Sequence, residues 1–214
     1  MHQTVKNLTS IKKELELISD KIPSIIAVSK TFPISNILPL IEYGHVHFGE
    51  NKVQEALEKW KNIKEQFSQI KLHMIGKLQT NKVKFALPLF DFIHSLDNEK
   101  LAKKIATEQT KYQKKPKIFI QVNIGDENQK SGINKHDLKN FYNYCNELNL
   151  DIIGLMCIPP ADVKTDTFFK EMSFLKNDLA LSDLSMGMSS DYLDATKNFS
   201  TYVRIGSKIF GKRS

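Results

Sequence analysis

Arginine is nearly absent from this chain. Of its 31 lysine and arginine residues only Arg204 and Arg213 are arginines, both inside the closing stretch TYVRIGSKIFGKRS. A guanidinium is planar, forked and permanently charged, whereas an ammonium is a mobile point charge, so such sparing use marks places where the fork itself is wanted. Cysteine is as scarce. Cys145 and Cys157 form no CxxC and no metal-type spacing, which excludes a disulfide framework and reads as two reduced, buried thiols. No apolar run approaches the roughly 18 residues a membrane span needs, and the opening MHQTVKNLTSIKKELELIS holds no uninterrupted apolar stretch of signal-peptide type. A soluble, cytoplasmic protein with no membrane partner is the expectation. Also missing are a GxGxxG, a P-loop, a low-complexity tract and a Gly/Ser-rich hinge.

What the chain has in plenty is lysine. The net charge of +7 is spread among 24 acids and forms no stripe, so it reads as a solvated surface and not as a nucleic-acid footprint. At 214 residues and 41% hydrophobic the chain can bury one sizeable core. One domain over 1–214 is expected, with 1–22 as a helix packed on it.

Short apolar runs recur at 25–29, 46–49, 72–76, 92–96, 118–124, 152–158, 184–188 and 202–205, each with the length and bulk of a strand. Helical periodicity fills most of the gaps: Ile34, Ile37, Leu38 and Ile41; Val53, Ala56, Leu57 and Trp60; Leu101 and Ile105; Leu138, Phe141 and Cys145; Phe168, Met172, Leu175 and Leu179. The third connection, 77–89, is shorter and carries Pro88, and an extra helix around 8–18 precedes the first strand. Unbroken alternation predicts an α/β fold, a single (β/α)₈ TIM-type barrel, over the alternative of an open doubly wound sheet.

In such a barrel the site lies at the carboxyl ends of the strands. Those ends supply Ser29 and Lys30; Glu50 and Asn51; Gly76, Lys77, Gln79 and Asn81; Ser95 and Asp97; Asn123; Met156; Ser189, Ser190 and Asp191; Arg204, Gly206 and Ser207. Lys30 closes the run IIAVSK, where a buried strand delivers and directs an amine whose partial desolvation favours nucleophilic use. Ser189-Ser190-Asp191 has helix-cap chemistry, and Arg204-Ile205-Gly206-Ser207 a turn where glycine admits close backbone approach. Together they describe a phosphate cup, or equally an ordinary cap and an ordinary turn. No metal site is expected. His45 and His47 alternate on the second strand without a third ligand, and with His73 and His94 they read as satisfied structural histidines. An amine facing a phosphate cup suits a cofactor with an aldehyde at one end and a phosphate at the other, pyridoxal 5′-phosphate (PLP), with Arg204 against its pyridine nitrogen.

The blocks AVSKTFP, HFGENKVQEA, LHMIGKLQTNK, IHSLD, VNIGDENQKSG, GLMCIPP, LSMGMSSD and VRIGSKIFGKR run in order from about Val28 to Arg213. In them the chain resembles the pyridoxal phosphate homeostasis protein family, relatives of the amino-terminal barrel of bacterial alanine racemase. The resemblance implies a Schiff base on Lys30, phosphate binding by Ser189 and Ser190 with the turn at Gly206 and Ser207, Arg204 at the pyridine nitrogen, and Asn51 and Met156 lining the cofactor. It also implies a role in maintaining PLP supply, with PLP-dependent apo-enzymes as candidate recipients and a monomer as the working form. The alternative is a PLP-dependent racemase. Lys52, Asn98 and Phe199 depart from the family pattern, at the mouth's rim and in the last helix-to-strand turn.

Little or no turnover is expected, with no residue assigned a catalytic role. A cation beside the pyridine nitrogen disfavours its protonation and weakens the electron sink. The sequence also stops at Ser214, right after the expected last strand, leaving no segment to supply the opposite-face acid or base that alanine racemase takes from a second domain.

Overall fold

A computed structural model describes residues 1–127, 129, 131–161 and 163–211. Eight parallel strands close into a barrel in chain order: β1 Ser24–Val28, β2 His47–Glu50, β3 Lys71–Met74, β4 Phe92–Leu96, β5 Lys117–Val122, β6 Asp151–Cys157, β7 Asp183–Ser185 and β8 Tyr202–Ile205. β1 pairs with β8 to shut the ring, Ile26 opposite Arg204 and Ala27 opposite Ile205. The observed β4 and β8 coincide with the expected runs, and the other strands differ from them by one to three residues at an end. The weakest seam is at β7, three residues long and joined to β8 through the one register pair Ser185–Tyr202.

The crossovers carry α2 Ile34–Glu42, α3 Val53–Gln66, α4 Val83–Leu89, α5 Glu99–Tyr112, α6 Leu138–Glu147, α7 Asp166–Asp178 and α8 Tyr192–Lys197, with α1 Gln3–Glu16 before β1 and α9 Ser207–Phe210 after β8. The third crossover is the short one: a 3-10 turn over Thr80–Lys82 leads into α4, whose Pro88 lies in the last turn. Asn98 caps α5, its side chain accepting the Leu101 N–H at 2.9 Å.

Strand alternation sorts the side chains into two layers. Outward residues such as Ala27, Phe48, Leu72 and Ile93 join the apolar faces of the helices, Leu8 and Ile11 of α1 and Trp60 of α3 among them, in the main core. Inside the barrel a smaller cluster, Phe92, Phe119 and Met156 with Ile153 and Tyr202, fills the ring's lower part. Cys145 on α6 and Cys157 on β6 are free and buried, and burial pushes each thiol up to about 12. Among the described residues no helix is long and apolar enough to cross a membrane, and no group of three or more His, Cys, Asp or Glu side chains could hold a metal ion.

Candidate functional site

A cleft of about 390 Å³ opens at the carboxyl ends of β1, β2, β7 and β8. Lys30, Asn51, Ser189, Ser190, Arg204, Gly206 and Ser207 all line it, and Val28, Phe32, Ile75, Ile158 and Met188 supply apolar wall. The sequence placed the first seven at one mouth, and the structure brings them together. Met156 is different. Its side chain is fully buried in the cluster inside the barrel and lies outside the cleft lining, because the strand pleat and its depth put it a layer below the mouth. Arg213 lies outside the described residues.

The turn that presents Lys30 is held from outside the cleft. Thr31 sits at φ 67°, a conformation that crowds a β-branched residue. Its N–H donates to Glu55 Oε1 at 2.5 Å, while Lys59 Nζ donates to Ser29 O at 2.9 Å and pairs with Glu55 at 3.0 Å. Burial opposes ionisation of Glu55, but the Thr31 N–H and the Lys59 ammonium outweigh it and hold the carboxyl below its ordinary range. Phe32 then stacks on Phe210 of α9, centroids 4.9 Å apart, joining the β1 loop to the end of β8 across the rim.

Glu50 does not point into the mouth, where a list of strand-end polar residues would place it. It turns outward between β2 and α3, and its Oε1 accepts from Ser29 Oγ (2.8 Å), Trp60 Nε1 (2.9 Å) and Lys59 Nζ (3.0 Å). Its neighbour Asn51 faces the cleft, with Oδ1 buried and without a hydrogen-bond partner among the described residues. Gly76 explains how close the β3 end comes, since a Cβ there would lie 2.4 Å from Asn51 O. Lys77 and Gln79 fall in a neighbouring groove with Asn51 and Lys52, Asp97 in a separate hollow, and Asn123 ties its own loop through Glu127 O at 3.0 Å.

On the opposite wall Asp191 does not cap α8. Its Oδ1 instead accepts the Met188 N–H at 2.6 Å, which braces the Ser189-Ser190 loop. The Gly206 N–H donates to Ser189 Oγ at 3.3 Å, leaving the hydroxyl hydrogen free to donate into the cleft. Gly206 has an ordinary negative φ of −110° and a Cβ there would meet only Val28 at 3.4 Å, so space beside the cleft, not backbone strain, is what the residue provides.

Arg204 forms the floor, 5% exposed. Nη1 donates to Ser185 O at 2.6 Å and Ser185 Oγ at 2.8 Å, and Nη2 to Cys157 O at 2.8 Å. Among the described residues two of its five N–H groups, Nε–H and one on Nη2, are left for whatever occupies the cleft. Burial lowers its pKa, but a guanidinium starts so high that the charge persists. Below it the inner faces of β2, β3 and β4 carry one histidine each, His47, His73 and His94. HFGE, LHM and IHS repeat a histidine in three successive strands, and that signal marks the column in the sequence.

The alanine racemase N-terminal domain family model matches residues 6–214. A pyridoxal phosphate homeostasis protein of Aquifex aeolicus is 38% identical over 201 residues, covering 88% of this chain and 86% of that protein. Another, of Haemophilus influenzae, is 39% identical over 202 residues, covering 89% and 85%. The solved structure of PipY from Synechococcus elongatus with PLP bound superposes with a TM-score of 0.88 at 32% identity, covering 98% of this chain and 100% of that one. An alanine racemase of Clostridium difficile shares the fold alone, TM-score 0.77 at 15% identity, and this chain spans only 57% of its length.

Proposed function

The chain belongs to the pyridoxal phosphate homeostasis protein family, and from that premise we propose that it binds PLP in the cleft between β1 and β8, with Lys30 as the covalent anchor. The observation that carries the reading is the convergence of Lys30, Asn51, Ser189, Ser190, Arg204, Gly206 and Ser207 on one cleft. PLP supplies an aldehyde and, when protonated at its pyridine nitrogen, an electron sink. The donor set fits it. Asn51 Oδ1 is a buried acceptor in want of a donor. Ser189 and Ser190 hydroxyls with the Ser207 N–H offer donors to a phosphate dianion, and Gly206 leaves room for it. Arg204 has N–H groups left over and no acceptor, so it hydrogen-bonds a pyridine nitrogen only in the unprotonated form. Lys30 condenses with the aldehyde to a Schiff base, releasing one water.

A carrier with little turnover is favoured over a racemase by the same list of lining residues. Among the described ones there is no histidine, cysteine, tyrosine or carboxylate to exchange a proton on the face opposite Lys30, and Arg204 weakens the electron sink. Its role is to hold PLP and release it to PLP-dependent apo-enzymes. Loading the full chain with PLP, reducing with borohydride and mapping the modified peptide tests the anchor. The adduct is expected on Lys30 and to vanish in Lys30→Ala. An adduct on Lys77 or another lysine overturns the assignment, and alanine racemisation at an ordinary enzyme rate of about 10 s⁻¹ overturns the carrier reading.

A further inference from the structure

The barrel interior holds a hydrogen-bonded column that binding of PLP does not by itself require. His47 Nδ1 lies 2.9 Å from His73 Nε2, His73 Nδ1 lies 2.9 Å from His94 Nε2, and His94 Nδ1 lies 2.8 Å from Ser185 Oγ, the same hydroxyl that receives Arg204 Nη1 at 2.8 Å. Each nitrogen of His73 and His94 faces a single partner, so the three rings share no point where a metal could sit. Ring stacking fixes their planes: His73 on Phe92 at 4.1 Å and 11°, His94 on Phe119 at 4.3 Å and 20°.

The proton positions follow from the charged end. A guanidinium can only donate, so Ser185 Oγ accepts from Arg204. Ser185 is fully buried and its hydroxyl has one other partner among the described residues, so its hydrogen goes to His94 Nδ1. That nitrogen is therefore bare and His94 carries its proton on Nε2, donated to His73 Nδ1. The same step repeats at His73 and makes His47 Nδ1 an acceptor, with the His47 Nε2–H left at the amino-terminal mouth. The reverse register would give Ser185 two donors and a buried hydroxyl hydrogen with no acceptor.

We propose that His94, His73 and His47, acting through Ser185, are positioning residues for Arg204: locked as neutral Nε2–H tautomers, they hold its fork so that its unspent N–H groups face the cleft. This rests on the reading of Arg204 as the partner of the pyridine nitrogen. It also assigns the column a consequence for the cofactor, that the ring nitrogen stays an acceptor because the guanidinium cannot turn away. The charges that face the column favour neutrality. Burial and then Arg204 hold His94 well below its usual pKa; burial and then the neighbouring histidines and Lys64 do so for His73; burial and Lys71 lower His47 against the opposing pull of Asp91.

Nitrogen-15 spectra of histidine-labelled full chain without PLP test the lock directly. His47, His73 and His94 are expected as neutral Nε2–H tautomers from pH 8 to 6. An Nδ1–H tautomer or an imidazolium at His73 or His94 overturns the proposal on the unaltered protein, whatever any variant does. Ser185→Ala, with folding checked by circular dichroism, then cuts the link. It is expected to admit the Nδ1–H tautomer at His94 and to weaken PLP retention roughly tenfold, and with pyridine-labelled PLP to move the ring-nitrogen shift away from the unprotonated position. Unchanged tautomers and unchanged retention in folded Ser185→Ala overturn the proposal. Locked tautomers in a protein that takes up no PLP uphold the column and overturn the cofactor reading instead.

Discussion

At Phe199 the backbone turns with φ 64° while the phenyl ring stands 76% exposed. The left-handed region costs an L-residue about 1–2 kcal/mol, and glycine gives back roughly 0.5–1 kcal/mol of that in chain entropy. Phe199→Gly should therefore raise stability by about 0.5–1 kcal/mol, measured as a higher urea midpoint at unchanged slope; a lower midpoint would mean the ring makes contacts that outweigh the strain. Ser189 is the opposite case, a residue kept for binding. Ser189→Ala removes one donor to a phosphate dianion and should weaken PLP retention by roughly 1.5–3 kcal/mol without unfolding the barrel, with equilibrium dialysis as the measurement. Unchanged affinity in the folded variant would move the phosphate elsewhere. Both residues were legible from sequence, one as a departure from a family pattern and one as part of a strand-end cluster. Met156 was carried over by the same resemblance and sits under the cleft, because likeness of sequence reports a position in the strand and not the depth of its side chain in the ring.

Between residues and molecule stand the braces that join β1, β2 and α3. Glu50 is fully buried and gathers three donors, Ser29 just past β1 and Trp60 and Lys59 of α3, the lysine also holding Ser29 O. Removing Glu50 leaves Lys59 still paired with Glu55 but strips the buried Ser29 hydroxyl and Trp60 N–H of their acceptor, and an unmet buried donor costs about 1–3 kcal/mol. Glu50→Ala is expected to lower stability by about 3 kcal/mol and to loosen the Lys30 turn, so that borohydride labelling of Lys30 falls even where the barrel remains folded. Labelling equal to wild type in that variant would show the turn to be held by Glu55 and Thr31 alone. The alternation of strand and helix was readable because periods of 2 and 3.6 survive in single segments. Which side of a strand end a polar residue takes was not, and Glu50 beside Asn51 shows why: adjacent residues face opposite sides, and a shift of one residue in the assumed strand exchanges brace and cleft wall. The histidine column escaped for a related reason, since its members lie 21 to 91 residues apart and meet only once the barrel closes.

For the whole molecule, the buried histidines set the response to acid. His45 is lowered to about 4 by burial and by Lys12, His73 is held well below 6.5 by burial and by the neighbouring histidines, and His94 by burial and by Arg204. Unfolding releases each to its ordinary value of about 6.5. The unfolded chain then binds more protons than the folded one at any pH between the folded and unfolded values, so stability rises with pH there and is lost as pH falls below about 6.5. Each fully depressed group contributes about 1.4 kcal/mol per pH unit, and three together approach about 4 kcal/mol per unit once the pH is well under 6.5, against a total stability on the order of 5–15 kcal/mol for a domain. The barrel should thus be at full stability above pH 7 and lose stability progressively as the pH falls below about 6.5. Urea unfolding from pH 8 to 5 checks this, with a net proton uptake on unfolding that grows as the pH falls below about 6.5. His94→Gln separates the sources: it removes one titrating group, so the pH slope should drop by about one proton even though the variant starts less stable. A slope unaltered by that substitution would place the acid sensitivity outside the column.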